Sequence, residues 1–142
     1  VIETTSQPVV VSHCGVAAVS GQRGGGTDQL RDSTIRQIAA SGGLICLHFY
    51  EGYIRPHHGE HSTVVDLVDH MDYIRGLVGI DYVAMGVDYF PESGWRWIQG
   101  VERMPGMPNV AREMVRRGYT DEEIAKVLGK NLMRIYAKVW KK

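Results

Sequence analysis

No stretch of this 142-residue sequence holds the run of about 18 apolar residues that a membrane-crossing helix requires, so no bilayer span is expected. Net charge is missing as well. Sixteen lysines and arginines balance sixteen aspartates and glutamates, and no block of like charge appears before the closing "WKK". Nucleic acid and anionic membrane surfaces reward a basic patch, so neither is an expected partner. Cysteine is scarce, with Cys14 and Cys46 alone. Both lie in or beside apolar strand-like runs and read as buried thiols, which fits a reducing, cytoplasmic compartment better than an oxidising one. The opening "VIETTSQ" has neither a basic segment nor an apolar core and does not read as a signal peptide.

What is present is enough for one core. At 44% apolar residues, the chain fits a single domain, or a fragment of one, over residues 1–142. Three strand-like runs alternate with helical patterns. "PVVVS" (8–12) is short and β-branched; a glycine-rich stretch follows, and then a helical pattern over 28–41 with Leu30, Ile35, Ile38 and Ala39 on one stripe, closed by "GG" at 42–43. "LICLHF" (44–49) is near-continuously apolar, as a strand buried on both faces should be. "STVVDLVDHMDYIRGLVG" is the clearest helix, with Thr63 and Asp66 forming a start box. "DYVAMGV" (81–87) is the third strand, running into Asp88.

The stretch after Asp88, "YFPESGWRWIQGVERMPGMP", is irregular, carries three prolines, and is long enough to be a functional loop. Three helices close the chain. Gly118 ends the first, and Thr120 with Glu123 caps the second. Alternation of this kind predicts an α/β fold with parallel strands and right-handed crossovers. Three strands cannot close a barrel and leave two open edges, so either the chain is part of a larger fold or a second copy completes the sheet, and a homo-oligomer is expected.

His13 follows the first apolar run and Asp88 the third, and strand ends are where parallel α/β sheets present their chemistry. An imidazole there suits Zn²⁺, and a carboxylate suits an amine or a proton; turn capping explains either residue equally well. The loop "RPHHGEH" gathers His57, His58, Glu60 and His61, but its spacing matches no common zinc pattern and reads as a solvated rim. His48, inside a strand, reads as a bonded core residue, and His70 as a packed helix residue. "QRGGGTD" lacks the lysine and hydroxyl of an ATP-binding loop, yet its Arg23 suits a carboxylate clamp.

Taken in order, "PVVVSHCGVAAV", "TDQLRDSTIRQIAASGGLICLHF", "TVVDLVDHMDYIRGLVGIDYVAMGVDY" and "RGYTDEEIAKVLGKNLMRIY" resemble the C-terminal half of the membrane (renal) dipeptidases, the M19 metallopeptidases of the amidohydrolase superfamily. The resemblance runs from about Gln7 to Tyr136. It implies the C-terminal part of a (β/α)₈ TIM-like barrel, here as three parallel strands with their helices and then C-terminal helices. It also implies hydrolysis of a dipeptide or related small amide by metal-activated water in a two-zinc site.

By that resemblance His13, from the "SH" motif, ligates one zinc. Asp88, from "GVDY", contacts the substrate's amino end and takes part in proton transfer to the leaving amine. Arg23 binds the substrate's terminal carboxylate, one position short of the usual arginine and followed by three glycines. The family's remaining ligands belong to an N-terminal part that this sequence does not contain, so the isolated chain is expected to hydrolyse little. Two other readings stand beside this one: a non-catalytic half-barrel module that self-associates, and a divergent amidohydrolase acting on another amide or ester.

Overall fold

The computed structural model describes residues 4–21, 29–54, 60–90 and 94–140. Four parallel strands form one sheet in the order β2-β1-β3-β4, with β1 Val10–Val16, β2 Gln29–Leu30, β3 Leu44–His48 and β4 Val83–Gly86. The helices are α1 Ala17–Ser20, α2 Asp32–Ala40, α3 Val64–Val78, α4 Pro108–Arg116, α5 Asp121–Ala125 and α6 Asn131–Val139. The three expected strands are present, and the two-residue β2 extends the sheet at one edge.

β3 shows why its sequence is so uniformly apolar. Successive side chains in a strand point to opposite faces. Ile45 and Leu47 enter the main core with Ile35, Ile38, Leu67 and Met71 from α2 and α3. Leu44 and Cys46 enter a second cluster, with Ala84 and with Ile135 of α6. Both faces are therefore covered at this level, and all five β3 residues are buried. By the same alternation His48 continues the face of Leu44 and Cys46.

Both capping boxes form as expected. The Thr63 hydroxyl accepts from the Val65 backbone N–H while the Thr63 N–H donates to Asp66 at 2.8 Å, and the Thr120 hydroxyl accepts from the Glu123 N–H at 3.2 Å. The helix expected over 28–41 begins only at Asp32, because Gln29 and Leu30 are drawn into the sheet beside Gly15 and Val16. Residues 81 and 82 of the expected third strand lie in a 3-10 turn over Ile80–Tyr82, leaving β4 four residues long. Cys14 and Cys46 are free, buried thiols, with the Cys14 thiol donating to the Cys46 carbonyl at 3.5 Å. Burial pushes the Cys46 thiol up to about 11, so neither is primed as a nucleophile.

α4 is tied to α3 by charge. Glu113 is held down to about 2 by hydrogen bonds from Arg116, burial opposing, with Arg117 adding to the effect. A carboxylate whose pKa falls on folding contributes stability that is complete above its unfolded value, here 4.5, and is lost as pH drops towards about 2. Thermal melts should accordingly show a lower midpoint at pH ~3 than at pH ~7, and Glu113→Gln should flatten that dependence. An equal acid sensitivity in the variant would assign it to other carboxylates.

Candidate functional site

His13 is not at the end of its strand, as the sequence suggests, but within it. β1 continues to Val16, and pairing with β3 steps from Val11↔Ile45 to Cys14↔Leu47. Three residues of β1 thus pass two of β3. The extra residue is a β-bulge, a device that re-aims a side chain without ending the strand. His13 sits in it, with its side chain 36% exposed.

Asp88 lies two residues past β4 and is the one non-glycine residue with positive φ among those described, at +43°. Such a conformation costs about 1–3 kcal/mol outside glycine, least for Asp and Asn, and is kept where surroundings enforce it. Its carboxylate reaches back over the sheet. Asp88 Oδ2 lies 3.7 Å from His13 Nε2 and 3.8 Å from His48 Nε2.

His48 is the bonded core residue that the sequence suggests, and it also borders the site. It is buried, as expected of a core histidine, yet its ring is 5.1 Å from that of His13. Burial holds its pKa below the usual value, with the neighbouring His13 acting in the same direction and Asp88 opposing. The neutral ring has a defined tautomer. The Tyr50 backbone N–H donates to His48 Nδ1 at 2.8 Å, so Nδ1 carries the lone pair and Nε2 the proton. The signal available in the sequence was position: His48 closes β3 on the strand-end level that the reading assigned to His13 and Asp88.

Donor groups of His13, His48 and Asp88 all lie within 4.8 Å of one another. The chemistry of the set decides what it can hold. Zinc bonds nitrogen and oxygen at about 2.0–2.2 Å, so two ligands of one ion stand about 3–4 Å apart, which His13 and Asp88 satisfy. His48 does not qualify, since its Nε2 is occupied by a proton. The cluster therefore offers His13 as an imidazole ligand, a carboxylate, and the His48 N–H beside them.

The other candidates fall elsewhere. Arg23, His57 and His58 lie outside the described residues. His61 faces Glu51 Oε1 at 3.2 Å and Arg96 at 3.1 Å, and Glu51 also accepts from the Ser62 N–H, so this histidine belongs to a loop-rim polar cluster. His70 ties α3 to the sheet by accepting the Val16 N–H on Nδ1 at 2.9 Å.

Aromatic rings enclose His48. Tyr53 stacks at 4.8 Å and Trp97 at 5.8 Å, while Trp95 meets its edge at 6.0 Å. The tryptophans come from the irregular stretch after Asp88, which folds back so that Trp97 bridges to Tyr50 and Ile98 N–H donates to the Phe49 carbonyl. Gly86 makes the close packing beneath Asp88 possible. A Cβ there would stand 2.1 Å from the Ser12 carbonyl oxygen, within the bulge, and 3.0 Å from Cys46 Cβ. Gly86→Ala should cost about 1–3 kcal/mol by chemical denaturation. A variant as stable as the parent would show that the bulge moves freely, against the fixed His13 position.

The whole chain has recognisable relatives. Residues 1–141 match the family model for membrane dipeptidase, peptidase family M19. Dipeptidase 3 of Homo sapiens is 26% identical over 99% of this chain and 27% of its own length. Among solved structures, an amidohydrolase from Pseudomonas aeruginosa superposes with a TM-score of 0.87 at 21% identity, covering 99% of this chain and 48% of the other. A metallopeptidase from Rhodobacter sphaeroides, liganded with a phosphinate mimic of the dipeptide L-Ala-D-Ala, gives 0.84 at 23% identity, over 98% and 38%. The chain spans roughly a third or less of the curated relatives it matches, at 27% to 32% of their length. Among the described residues no helix is long and apolar enough to cross a membrane.

Proposed function

The chain belongs to the membrane dipeptidase family, peptidase family M19, and on that premise we propose that it is the C-terminal part of a zinc-dependent dipeptidase that hydrolyses a dipeptide or related small amide. The observation that carries this reading is the convergence of His13, in the β1 bulge, with Asp88, just past the C-terminal end of β4, at 3.7 Å. The phosphinate dipeptide mimic held by the Rhodobacter sphaeroides metallopeptidase agrees with a substrate of that size.

In the complete site His13 would hold one of two zinc ions through its imidazole, with the remaining ligands supplied from outside this chain. A zinc ion so held lowers the pKa of a bound water and polarises the scissile carbonyl. The chain's own residues do the rest. Asp88 accepts hydrogen bonds from the substrate's amino group and holds, at Oδ2, the proton destined for the leaving nitrogen. His48 presents its N–H 3.8 Å from that oxygen, too far for a hydrogen bond but close enough to bias where the carboxylate charge sits. Tyr53, Trp95 and Trp97 crowd the ring of His48 and limit water around it. Arg23 would clamp the terminal carboxylate through paired hydrogen bonds.

Hydrolysis by the full encoded protein, purified with zinc, tests this. A free dipeptide should be cleaved and the reaction should stop on chelation. N-acetylating the dipeptide removes the group that Asp88 receives, and amidating its C-terminus removes the one Arg23 receives. Each should lower kcat/KM by about tenfold or more, the scale of a lost charged contact. No cleavage of any dipeptide by the zinc-loaded protein would refute the reading.

A further inference from the structure

Beside the Asp88 cluster lies a cavity of about 630 Å³, lined by Tyr89, Trp95, Trp97, Glu102, Arg103 and Met104. Its size suits a ligand side chain with room for water, and its walls are mostly aromatic rings and a thioether. Glu102 and Arg103 are exposed and of opposite sign, so the rim favours neither charge. The cavity is continuous with the site through shared residues. Trp97 stacks on His48 with ring planes 19° apart, and meets Tyr89 edge-on at 5.2 Å. Tyr89 follows Asp88 directly in the chain, and its hydroxyl donates to the Val101 carbonyl, pinning the cavity wall to the start of the Glu102 segment.

We propose that this cavity receives the side chain of the substrate's amino-terminal residue and selects large apolar or aromatic ones. The proposal rests on the reading that Asp88 receives the substrate's amino group. With the amine at Asp88, the side chain on the adjacent carbon lies within reach of Trp97, whose ring is one stacking distance from the His48 ring, at 5.8 Å. Burying a benzyl or isobutyl group against three aromatic rings removes apolar area from water, and a methyl group leaves most of the cavity to solvent. Charged side chains gain little here, because the rim offers one acid and one base.

Two measurements on the full encoded protein with zinc decide the matter. In the first, kcat/KM is compared for phenylalanyl-alanine, alanyl-alanine and lysyl-alanine. The phenylalanyl substrate should lead each of the others by about tenfold or more. Met104→Trp, which fills the cavity from an exposed position, should remove that lead. Equal rates for the three substrates, a lead for the lysyl one, or a loss shared equally by all in the Met104 variant would overturn the proposal.

The second measurement does not need turnover. Calorimetric titration with phenylalaninamide and alaninamide should give about tenfold tighter binding of the first, with the ratio lost in Met104→Trp. Asp88→Asn should weaken both amides by the same factor and keep their ratio. If no dipeptide is cleaved but the ratio stands, the dipeptidase reading fails and the pocket survives. If dipeptides are cleaved and the ratio is one, the pocket assignment alone fails.

Discussion

Replacing His13 with alanine should remove one zinc ion from the full encoded protein and lower dipeptide hydrolysis by at least about 100-fold, the upper scale for loss of a group that merely supports a ligand. The same substitution should barely change folding. The imidazole is 36% exposed on its strand, and half-exposed side chains of this kind contribute little to a core, about 0.5 kcal/mol or less. Zinc content by elemental analysis, measured beside the denaturation midpoint of the zinc-free protein, separates the two roles. A turn-capping histidine would lower the midpoint and leave zinc untouched; a ligand does the reverse.

His48 provides the control for that experiment. Its Nε2 is as close to Asp88 as that of His13, so distance alone does not say which ring binds metal. The Tyr50 N–H decides it by occupying Nδ1 and leaving the proton on Nε2. His48→Phe keeps the ring stacked between Tyr53 and Trp97 and should leave zinc content at the parent level. Loss of zinc in this variant equal to that in His13→Ala would mean that the tautomer switches and that both rings are ligands.

Arg117→Ala should destabilise by about 1–3 kcal/mol, the range for losing charge-assisted hydrogen bonds in a partly buried cluster. The guanidinium donates to Asp69 and Asp72 at 2.6 Å, to Glu113 at 2.7 Å and to the Val65 carbonyl at 2.8 Å. Burial works against its charge, but the three carboxylates more than compensate and raise its pKa. Removing it leaves three like charges converging and one helix carbonyl unmet. Arg117→Lys keeps one charge but not the fork that meets four acceptors, and should recover less than half of the loss. Urea denaturation of both variants checks the order. A loss below about 1 kcal/mol for alanine would place this cluster with ordinary surface ion pairs.

Much of the fold was legible because its signals are local. The Thr63–Asp66 and Thr120–Glu123 boxes need only a hydroxyl and an acid three residues apart, and both form. "LICLHF" reads as a strand covered on both faces because every residue except His48 is apolar, and the structure covers both faces. The errors occur where distant segments compete. The 28–41 helix starts late because Gln29 and Leu30 pair with β1, a contact that no periodicity contains. The first strand outruns its expected end by four residues because a bulge absorbs the mismatch between β1 and β3.

The candidate site divides the same way. From the sequence alone came the α/β alternation, the family resemblance, and His13 and Asp88 as the residues to watch, because motif order and strand-end position are properties of the chain. Tertiary structure alone decided that His48 joins them, that its proton sits on the nitrogen facing Asp88, and that Trp95 and Trp97 return to wall the site. A tautomer depends on which backbone N–H meets which ring nitrogen, and a pocket depends on which loops fold over the same strand ends. Both are distances between residues far apart in the chain, and they take values only once the sheet has set its register.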